Sequence, residues 1–188
     1  YYADQATQSR CDPCGKGTYQ DETGQTACKE ATPGHAISVP GQSDQFSHAC
    51  AAGYYTDQQA QQEAKPCAAG TYQDQTGQTK CRNATAGHMV AVPGRSQQAS
   101  CDPGTVQPAG GQPSCIDCDV GTYQPGSGNA TCIAADAGFF VGSKRQTAQE
   151  PCATGYFNDG AGLSRCTKCD IYDTFYTTTG PKSTRCDA

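Results

Sequence analysis

Two stretches decide the fold: Cys14-Gly-Lys-Gly-Thr-Tyr-Gln-Asp-Glu-Thr-Gly-Gln-Thr-Ala-Cys28 and Cys67-Ala-Ala-Gly-Thr-Tyr-Gln-Asp-Gln-Thr-Gly-Gln-Thr-Lys-Cys81. In each, Gly-Thr-Tyr-Gln reads as a short strand and Asp-x-Thr-Gly as a turn with glycine where φ must be positive. Gln-Thr-x-Cys reads as the returning strand. Two cysteines at the open end of such a hairpin can close it with one bond. Looser copies run from Cys101 to Cys115, from Cys118 to Cys132 and from Cys152 to Cys166.

Working outward, the copies fall on a fixed period. Their opening positions are Cys14, Ala31, Cys50, Cys67, Ala84, Cys101, Cys118, Ala135, Cys152 and Cys169. Every step is 17 residues except the 19 between Ala31 and Cys50. Glycine stands three residues after each opening from Gly17 to Gly155, and Tyr172 breaks the pattern in the last copy. A second glycine stands ten residues after most openings, as at Gly24, Gly41, Gly77, Gly94, Gly111, Gly128 and Gly162.

Three kinds of copy cycle with a super-repeat of about 51 residues. Copies opening at Cys14, Cys67, Cys118 and Cys169 have both cysteines, as do those opening at Cys101 and Cys152. Copies opening at Ala31, Ala84 and Ala135 have neither, and Ser47, Gln98 and Gln149 are read at their closing positions. Cysteines are thus lost in pairs, which argues that each pair is bonded within its own hairpin. The expected bonds are Cys14–Cys28, Cys67–Cys81, Cys101–Cys115, Cys118–Cys132, Cys152–Cys166 and Cys169–Cys186. Cys11 and Cys50 stand outside this scheme. Either they join each other, within the chain or between subunits, or they are free or externally paired thiols.

Composition explains why such clasps are needed. The chain has 188 residues and 14 cysteines, yet Leu, Ile, Val and Phe supply only 16 residues and Leu163 is the sole leucine. That is far too little for an ordinary buried core. With 16% charged residues it is not a charge-driven disordered chain either. A disulfide closing a loop of about 15 residues contributes about 3 kcal/mol in the chain-entropy model. Thiols at this density persist as disulfides only in an oxidising compartment, so the expected location is extracellular or at the cell surface.

The net charge of −5, with scattered Lys and Arg, argues against nucleic acid. No run of 18 apolar residues exists, so no direct membrane insertion is expected. Without a cleavable signal, the chain is read as a mature form or an excised segment. Asn83-Ala-Thr85 and Asn129-Ala-Thr131 are acceptor sites for N-linked glycans.

Other chemistry is set aside on spacing. Cys-x-x-Cys at Cys11/Cys14, Cys115/Cys118 and Cys166/Cys169 has zinc-ligand spacing, but cysteine loss follows the hairpins instead. His35, His48 and His88 come with no catalytic signature and read as surface or strand-edge residues. Asp21, Asp57, Asp74 and Asp159 recur in turns, where a carboxylate can bond the backbone. One acid per turn is too sparse for calcium. Tyr19, Tyr55, Tyr72 and Tyr123 read as a ladder along one face. The apolar stretches His35–Gly41, His88–Gly94 and Phe139–Gly142 serve either packing against neighbours or contact with another chain. Neither catalytic residues, metal ligands nor cofactors are expected.

The Cys-x-x-Gly-Thr-Tyr…Gly-x-x-x-Cys unit resembles the ephrin-receptor-like cysteine-rich repeats, relatives of the tumour-necrosis-factor-receptor repeats. The resemblance implies stacked short β-hairpins in an elongated, core-poor rod. Such repeats occur in receptor ectodomains and in large surface proteins, so they leave function open.

The expected architecture is therefore an all-β, disulfide-rich, solenoid-like rod of short β-hairpins, on the order of 100 Å long. Residues 1–13 form a truncated hairpin remnant, in which Tyr1-Tyr-Ala-Asp-Gln5 matches Tyr54-Tyr-Thr-Asp-Gln58. Repeats follow at 14–66, 67–117 and 118–168, with a terminal half-repeat at 169–188. The expected function is non-enzymatic: a structural subunit or segment of a fibre or surface appendage, assembled end to end from copies of itself. The alternative is a ligand-binding or adhesive ectodomain segment of a cell-surface receptor.

Overall fold

Gly-Thr-Tyr-Gln becomes a strand only two residues long, because the glycine before it and the turn after it bend the chain at once. The computed structural model describes Ala3 and residues 11–169, 181–182 and 184–186. Most of the remnant at Tyr1–Gln5, and Tyr172 of the last copy, lie outside these residues. The described chain is all-β apart from one 3-10 turn, Phe46–His48. Eight antiparallel two-stranded hairpins recur, such as Thr18–Tyr19 with Lys29–Glu30 and Thr122–Tyr123 with Ile133–Ala134. In the Ala31 copy the pairing shrinks to a single bridge between His35 and Ala49.

The six sulfur pairs expected from the repeat are bonded in the structure, each inside one hairpin, with Cα separations of 5.7 to 6.0 Å. Cys11 and Cys50 are not joined to each other within the chain, which corrects that alternative. Cys11 is exposed, whereas Cys50 sits at 2% exposure in an opening slot. Its sulfur faces into its own hairpin, 3.6 Å from the Thr56 hydroxyl.

The described residues fall into two compact units. One takes those of Tyr1–Ala84 and Val90–Gln98; the other takes Thr85–Met89 and those of Ala99–Ala188. In the first unit, four backbone bonds tie the Cys14 hairpin to the next. The amide of Ala31 donates to the Gly17 carbonyl, and that of Gly17 to the Ile37 carbonyl. The amide of Gln20 donates to Gln42, and that of Gly41 to Cys14. In the second unit the same four bonds tie the Cys118 hairpin to the next: Ala135 to Gly121, Gly121 to Val141, Gln124 to Gln146, and Arg145 to Cys118. Peptide groups make this ladder, so it is indifferent to which side chains a hairpin carries. That is why cysteines can be lost in pairs without loss of the stack.

The core of each unit is correspondingly narrow. In the first unit the openings Cys14, Ala31, Cys50, Cys67 and Ala84 are all at most 2% exposed. Beside them run the side chains six residues after each opening: Gln20, Ile37, Thr56, Gln73 and Val90. In the second unit the openings Cys101, Cys118, Ala135, Cys152 and Cys169 are flanked by Gln107, Gln124, Val141 and Asn158. Most described hairpins thus contribute two interior side chains, with Thr105, Val106 and Gln45 added in two of them, too few for a conventional hydrophobic core.

Candidate functional site

Along each hairpin the positions do separate jobs, and the residues expected to carry function sort accordingly. The turn aspartates come first. Asp21, Asp57 and Asp74 pair with a cation on the returning strand, at 2.6 Å to Lys29, 2.8 Å to Lys65 and 3.0 Å to Arg82. The Lys29 ammonium holds the Asp21 carboxyl below its ordinary range, and Asp21 holds Lys29 above its own. Lys65 and Asp57 shift each other in the same directions. These carboxylates therefore serve cross-strand ion pairs more than the backbone turns expected of them. Asp159 is exposed.

The tyrosines follow the same geometry. Tyr19, Tyr55, Tyr72 and Tyr123 are half-buried. Lys65 lies 6.0 Å from the Tyr55 ring centre and Arg82 lies 5.9 Å from that of Tyr72. Each of these two rings is thus met by the cation of its own hairpin. Ring, cation and carboxylate form a triad on the surface of these two hairpins.

The histidines are separate from one another in their bonding. His35 meets the Thr32 hydroxyl at 3.3 Å and the edge of Phe46 at 6.2 Å between ring centres. His88 meets the Thr85 hydroxyl at 3.2 Å, and His48 meets the Gln42 amide oxygen at 2.9 Å. Each satisfies a local turn, as expected of strand-edge residues. Asn83, at the end of the strand Arg82–Asn83, is exposed. Asn129 is half-buried, with its side-chain amide donating to the Ser127 carbonyl at 3.2 Å.

The apolar stretches divide between the interior and the surface. Ile37, Val90 and Val141 are interior, at 0 to 2% exposure. Val39 and Val92, two residues further along, stand out at the turn with 55% and 44% exposure. Phe46, on the 3-10 turn supplied by the two additional residues of its copy, is 78% exposed.

A depression lies at the copy that opens with Cys50. It is an open groove of about 500 Å³ lined by Ala36, Ser38, His48, Cys50, Tyr54, Gln62, Glu63 and Ala64. Ala64 stands where a closing cysteine would, so a methyl group replaces a sulfur and leaves space. Among the described residues no group of three or more His, Cys, Asp or Glu gathers as a metal site would require. The Cys-x-x-Cys pairs Cys115/Cys118 and Cys166/Cys169 are split between neighbouring hairpins, each sulfur bonded elsewhere.

Two sets of residues escaped the sequence reading. The first is the glutamine six after the opening. Gln124 is 5% exposed; its amide donates to the Thr131 carbonyl at 2.7 Å and its oxygen accepts from the Gly126 amide at 3.1 Å. Gln20, Gln73 and Gln107 repeat this bracket. The signal was in plain view as the fourth letter of Gly-Thr-Tyr-Gln.

The second is Gln45, together with the hydrogen bond by which it and Gln149, already placed at a closing position, replace the disulfide. In the Ala31 hairpin the Gln45 oxygen accepts from the Thr32 amide at 2.9 Å, and in the Ala135 hairpin Gln149 accepts from the Asp136 amide at 2.6 Å. Both glutamines lie fourteen residues after the opening, the ordinary closing distance. Gln45, and not Ser47, thus closes the Ala31 hairpin. Ser47 instead bonds Asp44 beside the 3-10 turn.

Short glycine-hinged hairpins, an internal disulfide in each clasped copy and a backbone ladder define a disulfide-rich repeat module. Its motif and fold resemble the ephrin-receptor-like cysteine-rich repeats. Two segments, residues 1–45 and 104–144, match the family described as tyrosine-protein kinase ephrin type A/B receptor-like. Together they cover just under half of the chain. No curated protein matches it. Six disulfides assign the folded chain to an oxidising environment. Among the described residues no helix is long and apolar enough to cross a membrane.

Proposed function

We propose that this chain is a non-enzymatic extracellular structural segment that assembles end to end with copies of itself into a fibre or surface appendage. The observation that carries this reading is the four-bond ladder, repeated within each unit between successive hairpins with the same donors and acceptors. A hairpin edge that is complementary to its successor is complementary to any hairpin of the same design. Head-to-tail contact of such edges extends a stack without limit when the rotation does not close. The matched module is also of a non-catalytic type.

Negative-stain microscopy and sedimentation of the purified oxidised chain test the reading. Filaments with a regular axial period are expected, and a monodisperse particle at every concentration overturns it. Covalent linkage is a separate matter: a Cys11–Cys50 bond between copies needs Cys50 to leave its buried slot. A monomer band without reductant rules that bond out.

The family match favours a second reading, a ligand-binding or adhesive ectodomain segment. Under that reading the chain stays monomeric and the exposed tips at Val39 and Val92, with Phe46, contact a partner. Monomers that bind cell surfaces, and lose binding on V39S/V92S substitution, would replace the fibre reading.

A further inference from the structure

The clasped hairpins and the unclasped ones differ most under tension. Force applied along a chain passes through an S–S bond and bypasses the residues between its two cysteines. Residues 15–27, 68–80, 102–114, 119–131 and 153–165 are enclosed in this way. Three segments carry no such bypass: 29–66, 82–100 and 133–151. They contain every copy that lacks a cysteine pair.

What holds the unclasped segments is non-covalent. Gln45 on the Thr32 amide and Gln149 on the Asp136 amide stand where sulfurs stand elsewhere. In the Cys50 copy even that is replaced by the methyl of Ala64 beside the open groove. The backbone ladder adds a few hydrogen bonds per hairpin, which break one rung at a time in a stack with only nearest-neighbour coupling. A covalent bond does not yield at loads that part hydrogen bonds.

We infer that the unclasped hairpins are the extensible elements of the chain, releasing length under load and refolding between the clasped hairpins, which stay closed. The function this assigns is that of a reversible mechanical spacer. It deepens the structural reading above but depends on one chain alone. At about 3.4 Å per extended residue, the three segments supply contour lengths of about 130, 65 and 65 Å.

The test is to pull the full oxidised chain by handles at its two ends in an optical trap. Without reductant, reversible steps of those three lengths are expected. Total extension should stop at their sum plus about 6 Å across each clasp and the contour of residues 1–13, 116–117, 167–168 and 187–188, which no intrachain clasp encloses. Adding reductant should release about 40 Å more for each opened clasp of this loop length.

The variant Ala64→Cys, placed to bond Cys50, should shorten the longest step by about 40 Å once peptide mass mapping shows the added bond. If that bond does not form, A135C/Q149C makes the same test on segment 133–151. Three results overturn the inference: no reversible step before the handles detach, oxidised extension beyond the stated total, or a step unchanged in a variant with the added bond. A chain that stretches as expected but forms no filaments overturns only the fibre reading. Filaments whose single chains do not stretch overturn only this one.

Discussion

At Gly121 the backbone turns through φ +82°, and the carbonyl oxygen of Gly162 lies 2.1 Å from where a Cβ would be. Gly162 belongs to the second hairpin onward, so this glycine lets three successive hairpins interlock. The same approach of a carbonyl two hairpins onward recurs at Gly17, Gly34, Gly53, Gly87, Gly104 and Gly138, whereas Gly155 has positive φ but nothing within 4 Å. Gly24, in the turn, has φ +74° and likewise nothing within 4 Å. The slot of Gly24 accordingly admits other residues: Ala60, Arg145 and Lys182 hold positive φ at the corresponding turns. Gly121→Ala should therefore cost about 3 kcal/mol or more, while Gly24→Ala should cost about 1 kcal/mol. Urea denaturation with disulfides intact measures both, and equal losses would contradict the interlock. The spacing of these glycines was legible in the sequence because positive φ has few solutions. The carbonyl that makes one of them obligatory was not, since it comes from more than thirty residues away. Exposure also separates the two glycan acceptors. After secretion from mammalian cells, Asn83→Gln should abolish most of the amidase-sensitive mass, and Asn129→Gln should change it less.

One hairpin design is closed here in two ways, by a disulfide or by glutamine. In the Ala135 hairpin, Gln149 accepts from the Asp136 amide and donates to the Asp136 carboxylate at 2.7 Å. Both bonds are exposed to water, so the net contribution is small, about 1 kcal/mol or less. The sulfur bond in the Cys118 hairpin acts instead on the unfolded chain and contributes about 3 kcal/mol. Gln149→Ala should thus lower stability by about a third of what C118S/C132S does, read from the midpoints of urea transitions. A glutamine loss as large as the cysteine loss would show that the hydrogen bond, and not chain entropy, holds the hairpin. The cysteine pairs could be read from the sequence because a pair lost together has one explanation. Glutamine could not: it is common on surfaces, and nothing in the letter marks Gln45 as a closure or Gln124 as interior. The two-residue excess in the Ala31 copy hid Gln45 further, by drawing the closing position to Ser47. In three dimensions the excess lies beyond Gln45, in the turn Phe46–His48.

Over the whole molecule, side-chain burial and the backbone ladder share the work unequally. Among the described residues every buried side-chain nitrogen and oxygen has a hydrogen-bond partner. The interior nevertheless consists of cysteine, alanine and single residues such as Gln73 and Val141. Removing the clasps leaves the ladder facing the full conformational entropy of the chain, roughly 1–2 kcal/mol per ordered residue. Hydrogen bonds of about 1 kcal/mol net, fewer than one per residue between hairpins, do not offset that. Full reduction under native conditions should therefore unfold both units. The oxidised chain should resist trypsin for hours and the reduced chain should be cut within minutes at Lys29 and Arg82, whose ion pairs with Asp21 and Asp74 are lost on unfolding. Circular dichroism before and after reductant, with alkylation to prevent reoxidation, provides the second measure. If the alkylated chain kept its protection and its spectrum, the peptide ladder would have to be cooperative enough to fold alone, and the paired cysteines would need another purpose.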